Sequence, residues 1–240
     1  MNTGVVEIGL DGLALAFVPV AVVIFILYRW SSVGRETLYA FARMLLQLTV
    51  IGYVLVYVFR ISDNLVVLAL LGFMVLVASW IALRTSSLPR HTLFLYAVLA
   101  VALGGGSVLA VVTQGVLSLE PALEARYVIP LAGMIFAASM NSISLAAERF
   151  EAEFRRERDY QAARSTALRA SLIPITNSLF AVGLVSLPGM MTGQILSGVS
   201  PLIAARYQIM VMCMMFAAAG LSSAIFLLMM RARLDELGAD

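Results

Sequence analysis

The sequence predicts an all-α polytopic membrane protein with about seven transmembrane helices, the N-terminus outside and the C-terminus in the cytoplasm. Three observations carry this. Hydrophobic residues make up 62% of the 240 residues and charged residues 12%, against about 45–50% and about 25% in a soluble domain, so a soluble globule could not cover its surface with ionisable groups. Seven apolar runs are each long enough to cross about 30 Å of hydrocarbon. Arginine falls unevenly on the connections between them.

The runs are Leu10–Tyr28, Leu38–Phe59, Asn64–Leu83, Thr92–Thr113, Tyr127–Ala147, Leu172–Val199 and Tyr207–Met230. None shows two-residue alternation, and an open sheet would leave backbone groups unpaired in lipid, so each is read as a helix. Residues 1–240 are expected to form one transmembrane domain. The first run is preceded by Glu7 and no cation, the reverse of a basic leader, and is expected to remain as a span.

The second run holds Arg43, with Gln47 one turn later on the same face. Arg43 either snorkels to headgroups, faces a water-filled path or pairs with Glu148. Gly104-Gly105-Gly106-Ser107 lies midway along the fourth run, where it permits close packing or local unwinding. A serine-hydrolase reading of Ser107 with His91 fails, because Val108-Leu109 breaks the Gly-x-Ser-x-Gly pattern.

The fifth run carries Ser139, Asn141, Ser142 and Ser144, and the sixth opens with Thr176, Asn177 and Ser178. Such residues either hydrogen-bond between helices or border a hydrated path. Pro188-Gly189-Met190-Met191-Thr192-Gly193-Gln194 interrupts the sixth run, because proline removes a donor and glycine admits unusual dihedrals. The break is either a bent helix end or a discontinuous helix lining a cavity. In the seventh run Ala218/Ser222, Ala219/Ser223 and Gly220/Ala224 are small pairs four apart, which suggests close helix packing. Met190, Met191, Met210, Met212, Met214 and Met215, beside Cys213, make either an apolar packing surface or a source of thioether ligands for soft cations.

Between the fifth and sixth runs lies the longest polar stretch, Glu148–Ala170. It is rich in helix formers, with Glu151 and Arg155 spaced to attract and Phe150 and Phe154 on one face. It is either a solvated extension of the fifth helix or a cytoplasmic docking helix for a partner protein.

All 16 basic residues are arginine. Alternate connections hold Arg29, Arg35, Arg84, Arg90, Arg149, Arg155, Arg156, Arg158, Arg164, Arg169, Arg231 and Arg233, whereas the others hold only Arg60, Arg126 and Arg206. Twelve against three sets the orientation and requires an odd number of spans. A net charge of +2 without a basic tail excludes a nucleic-acid partner. One cysteine and one histidine cannot build a disulfide framework, a zinc cluster or a histidine-based triad, and the ligands of any metal stay unknown. Without lysine there is no phosphate-binding Gly-x-x-x-x-Gly-Lys-Ser/Thr loop, so the chain is expected not to be an enzyme, and any ATP-driven step needs a second chain.

Val182-Gly-Leu-Val-Ser-Leu-Pro-Gly-Met-Met-Thr-Gly-Gln-Ile-Leu196, followed by Arg206-Tyr-Gln-Ile-Met210, resembles the signature of the Fet-type iron-export ABC permeases, a family that includes the plant aluminium-sensitivity permeases. Arg43-Met-Leu-Leu-Gln-Leu48, Gly52-Tyr53, Val128-Ile-Pro-Leu-Ala-Gly-Met134, Met140-Asn141, Leu145-Ala-Ala-Glu-Arg149, Ile173-Pro174 and Asn177-Ser178 extend the likeness in the same order. The resemblance implies the membrane subunit of an exporter in the bacterial inner membrane, dimerising with a second copy. It also implies a cytoplasmic ABC ATPase subunit that carries ATP and Mg, with no cofactor in this chain. The implied cargo is iron or another metal, a sugar nucleotide being the alternative. From the polar and breaker residues of the spans, the transport pathway is expected to run past Arg43, Gln47, Asn141, Asn177, Met190, Met191 and Gln194. The implied ATPase-coupling residues are Glu148, Arg149, Phe150, Phe154 and Arg158.

Two departures stand out. A Leu-Gly-Ala-Thr-Pro turn usual between the fifth and sixth spans is replaced by Arg155-Arg-Glu-Arg-Asp-Tyr-Gln-Ala162, and a Gly-Asn pair before Met140 by Ala137-Ala138. The first leaves open a membrane scaffold or sensor that has lost its ATPase.

Overall fold

The computed structural model describes residues 8–31, 33–58 and 63–231; Glu7, Phe59, Arg60 and Arg233 lie outside the described residues. Among the described residues the regular elements are all helical, and the chain divides into two compact units, Met1–Arg60 and Ile61–Asp240.

The first unit is a hairpin of α1 (Leu10–Trp30) and α2 (Gly34–Val58). The chain can reverse between them because Ser31 closes α1, its N–H and hydroxyl both bonding the Leu27 carbonyl at 3.0 Å. Gly34 then opens α2 against the Tyr28 ring, where a Cβ would come within 2.5 Å of ring carbon. Phe17 and Phe41 meet edge to face with centroids 6.4 Å apart. No α1 residue is buried, so its apolar surface is available to lipid.

In the second unit α3 (Asn64–Ala82) starts at Asp63, whose carboxylate accepts the Leu65 N–H at 2.8 Å. A 3-10 turn, Leu83–Thr85, leads to α4 (Arg90–Val116). This helix contains π turns at Val101–Gly105 and Val111–Val116. The glycine run expected to pack closely or unwind does both. A Cβ on Gly104 would lie 2.6 Å from the Ser222 backbone nitrogen, and one on Gly105 would be 3.1 Å from Phe136 and Ser139.

α5 (Ala125–Glu157) is 33 residues long and runs well past the expected end of the fifth span. It stops because Arg158 turns left-handed, φ 56°, returning its N–H to the Phe154 carbonyl at 2.9 Å. Asp159 then caps α6 (Tyr160–Ala181) by accepting the N–H groups of Gln161 and Ala162. Residues 148–170 are therefore the adjoining ends of two helices. α6 ends at Ala181, whose carbonyl takes the N–H groups of Leu184, Val185 and Ser186. Gly183, at φ 82°, supplies the reversal. The expected sixth run, Leu172–Val199, thus divides before Pro188 rather than at it. The remainder forms α7 (Gly189–Leu196), followed by α8 (Pro201–Met230).

Among the described residues six helices, α1 to α5 and α8, are long and apolar enough to cross a membrane. α6, with Arg164 and Arg169 in its first half, falls short on composition, but its 22 residues rise about 33 Å. The core of the second unit gathers where α4, α5 and α8 meet, around Leu93, Ile135, Ile143, Phe150, Met214, Phe226 and Leu227. Small residues let the helices approach: Ala97 and Ala100, Ala132 and Ala146, Ala218 and Ala219 are all buried. Where lipid tails are as apolar as leucine, such van der Waals contact drives helix association.

Candidate functional site

Across this core runs a seam of buried hydroxyls. Ser142 Oγ and Ser223 Oγ lie 2.7 Å apart, and Ser142 also donates to the Ser171 carbonyl at 3.2 Å. Ser222 donates to Ser139 Oγ at 2.9 Å, and Ser139 to the Ala218 carbonyl at 3.4 Å. Outside this buried seam, the exposed Thr85 Oγ1 lies 2.9 Å from Ser144 Oγ. The serines of the fifth span and the small pairs of the seventh therefore clamp α5, α6 and α8 together. Asn141 is exposed and borders a cavity of about 200 Å³ with Ser171 and Ser178, while Asn177 is exposed and lies outside that lining.

Two further cavities adjoin α7. On one side Met190 and Gln194, one turn apart, face α5 and α8 across about 630 Å³, with Arg126, Met134, Tyr207 and Met210 opposite. On the other side Met191 joins Gln208, Met212 and Cys213 around about 360 Å³. Among the described residues two buried side-chain oxygens, Gln194 Oε1 and Gln208 Oε1, have no hydrogen-bond partner, and each lines one of these cavities. α7 therefore brings Met190, Met191 and Gln194 together. Arg43 and Gln47 are exposed on α2, in the other unit.

At the arginine-rich end the α5–α6 hairpin has two faces. Its polar face carries the exposed Glu148 and a chain of ion pairs, Arg149–Glu153 at 2.6 Å, Arg156–Glu153 at 2.8 Å and Arg156–Glu157 at 2.6 Å. Its apolar face is closed. Phe150 and Phe154 stack with centroids 5.8 Å apart, and Tyr160 meets Phe150 edge on at 5.9 Å. Both phenylalanines are buried, so Glu148, Arg149 and Arg158 are the accessible members of the expected coupling set.

Two contacts and one buried amide escaped sequence reasoning. Glu151 is buried and accepts from Ser86 Oγ at 2.5 Å, from Ser87 N at 2.7 Å and from Ser87 Oγ, while Arg155 donates to Ser87 Oγ at 3.0 Å. The Ser86-Ser87-Leu88-Pro89 connection, rich in turn donors, is the signal that could have revealed it. Tyr160 donates to the Leu227 carbonyl. Gln208, an amide inside an apolar run with Met212 one turn on, was equally visible as a pattern. Among the described residues no group of three His, Cys, Asp or Glu side chains could hold a metal ion.

Against known proteins, the model of an uncharacterised protein family, UPF0014, matches residues 10–234. A UPF0014 membrane protein of Synechocystis sp. is 36% identical over 216 residues, covering 82% of this chain and 83% of its own. The "Probable iron export permease protein FetB" of Escherichia coli is 33% identical over 232 residues, 90% of this chain and 88% of its own. "Protein ALUMINUM SENSITIVE 3" of Arabidopsis thaliana is 33% identical over 227 residues, 88% and 81%. No solved structure matches. The resemblance carried by the Leu187-Pro-Gly-Met-Met-Thr-Gly193 block is thereby borne out, and the apolar helices fit these membrane relatives. The chain is a multi-pass helical membrane protein and belongs to the UPF0014 family.

Proposed function

We propose that this chain is the membrane-spanning subunit of an ATP-driven exporter, hydrolysis being performed by a separate cytoplasmic ABC ATPase that holds ATP and Mg. The observation that carries the reading is the α5–α6 hairpin: an ion-paired, arginine-rich face outside and a buried aromatic face locked to the rest of the bundle. A load on the polar face passes through Phe150, Phe154 and Tyr160 into α5 and α8, whose far portions border the cavities around α7. That continuity gives a partner a lever on the cavity that holds Met190 and Gln194.

In this reading the hairpin faces the cytoplasm, as the arginine bias argues. The subunit works as a homodimer in the bacterial inner membrane, and short α7 changes its lodging between α5 and α8 as access alternates. Glu148, Arg149 and Arg158 meet the ATPase. Met190, Met191, Gln194 and Asn141 border the path in this unit. The cargo we assign is a metal ion, in keeping with the relative named as an iron export permease.

The test is reconstitution of this chain with a candidate ATPase in proteoliposomes. Cargo-stimulated hydrolysis and metal efflux support the reading; an unchanged rate with and without this chain sinks it. Labelling a single cysteine at position 155 from each side of the membrane tests the orientation separately.

A further inference from the structure

The cavity between the end of α6, α7 and α8 collects an unusual set of groups. Its lining includes two thioethers, Met191 and Met212, the thiol of Cys213 and the amide of Gln208, and Leu179 and Ile209 on the same wall are apolar. We infer that it is a binding site for a soft monovalent metal cation of the Cu(I) or Ag(I) type.

Gln208 supplies the first reason. Its side chain is 5% exposed, and Oε1 makes no hydrogen bond. A buried amide oxygen left without a donor is destabilising, and a positive centre in the cavity would relieve it. The second reason is the donor chemistry. Hard ions such as Mg²⁺ or Ca²⁺ demand six or so oxygens, and this lining has one side-chain oxygen among its donors. Thioether and thiolate sulfurs select soft ions instead.

Charge balance is the third reason. A cation in apolar surroundings is costly unless neutralised. Here the step is Cys213–SH plus M⁺ giving Cys213–S–M plus H⁺, so one positive and one negative charge cancel and the proton leaves to solvent. Gln208 and Met212 sit one helical turn apart on α8, and Met191 arrives from α7. Methionine's three rotatable bonds let both thioethers close on an ion smaller than the cavity of about 360 Å³.

This site goes beyond the exporter reading, since binding requires neither ATPase nor transport. The experiment is an anaerobic titration of the full-length protein in nanodiscs with Cu(I) presented as its bicinchoninate complex, followed by X-ray absorption at the copper edge. We expect one tightly held Cu(I) per chain, a shell of the three lining sulfurs and release of a proton on binding. Met191→Leu with Met212→Leu should weaken binding by about tenfold or more with Cys213 intact, Cys213→Ser should abolish proton release, and Gln208→Leu should weaken binding a few-fold. Met229→Leu, a thioether outside this lining, should change nothing. A copper–sulfur coordination number of one in the wild-type protein, or wild-type affinity in a folded methionine double variant, would mean adventitious thiol binding and overturn the site. Absence of stoichiometric Cu(I), or equal affinity for Fe(II), would overturn it as well.

Discussion

The Tyr160 hydroxyl donates a 3.0 Å hydrogen bond to the Leu227 carbonyl, tying the first turn of α6 to the last turn of α8. Carbonyls in a helix's last turn lack intrahelical donors, so the phenol serves as a cap supplied from another helix. Arg164 and Arg231 lie over the same ring, 5.4 and 5.8 Å from its centroid. Tyr160→Phe should keep the ring packing and lower stability by about 1 kcal/mol. Tyr160→Ala should cost more, because Phe150 loses its edge-on neighbour. Thermal unfolding in a fixed detergent, followed by helical ellipticity, reads both.

Gly104 and Gly106 make an internal comparison. A Cβ on Gly104 would press on the Ser222 backbone, whereas Gly106 has nothing within 4 Å of the same position. Gly104→Ala should destabilise the α4–α8 contact by about 1–3 kcal/mol. Gly106→Ala should be neutral or raise the melting temperature, since alanine favours a helix by about 1 kcal/mol over glycine. If the two variants melt alike, the close approach of α4 to α8 is wrong.

Removing the Glu151 carboxylate strands two serine hydroxyls and one backbone N–H that it now receives. Glu151→Ala should cost about 2–3 kcal/mol and free the connection between α3 and α4. Ser86→Ala with Ser87→Ala, which leaves the carboxylate short of two hydroxyl donors, should show part of that loss. Limited proteolysis after Arg84 and Arg90 should accelerate in both variants and stay slow in wild type.

The hairpin's two faces should separate in function. Arg149 and Arg158 are exposed, and Glu153 keeps its pair with Arg156 when Arg149 is removed, so Arg149→Ala with Arg158→Ala should cost about 1 kcal/mol or less. The same pair should sharply reduce stimulation of a partner ATPase if that face is the docking surface. Phe154→Ala, by contrast, should lower stability by about 3–5 kcal/mol. Equal ATPase stimulation by the arginine variant and wild type would remove the face from the coupling route.

The spanning helices were legible in the sequence because lipid imposes one constraint, long apolar runs with internally satisfied backbones, and composition records it directly. Gly104-Gly105-Gly106 and the small pairs of α8 were legible for a related reason: absent side chains mark where backbones meet, as Gly104 and Ser222 do. Element ends were less so. Pro188 advertises a break, but the chain turns earlier, at Gly183, where a single left-handed residue suffices. Arg158 reverses the chain with no glycine or proline to announce it.

Side-chain partners were the least legible. Spacing along the helix offers Glu151 only Arg155, and says nothing of the Ser86 and Ser87 donors, some 65 positions away in the sequence, that also hold its carboxylate. Phe150 and Phe154 were visible as one apolar stripe, which sequence alone leaves free to face either a partner or the interior. Gln208 looked unexceptional until its neighbours were known. Periodicity tells which face a residue shares; it carries no information on what that face meets.

The π turns of α4 have a consequence for how its length can change. Each winds an extra residue into a turn that ordinary helix closes with fewer. Deleting one residue from Val101–Gly105 or Val111–Val116 would restore regular winding and leave the flanking segments facing their present neighbours. A deletion within Arg90–Ala100 would instead swing everything beyond it by about 100°, carrying Gly104 away from Ser222. The helix thus holds two points of slack at which single-codon losses are absorbed, set in an element that elsewhere tolerates none.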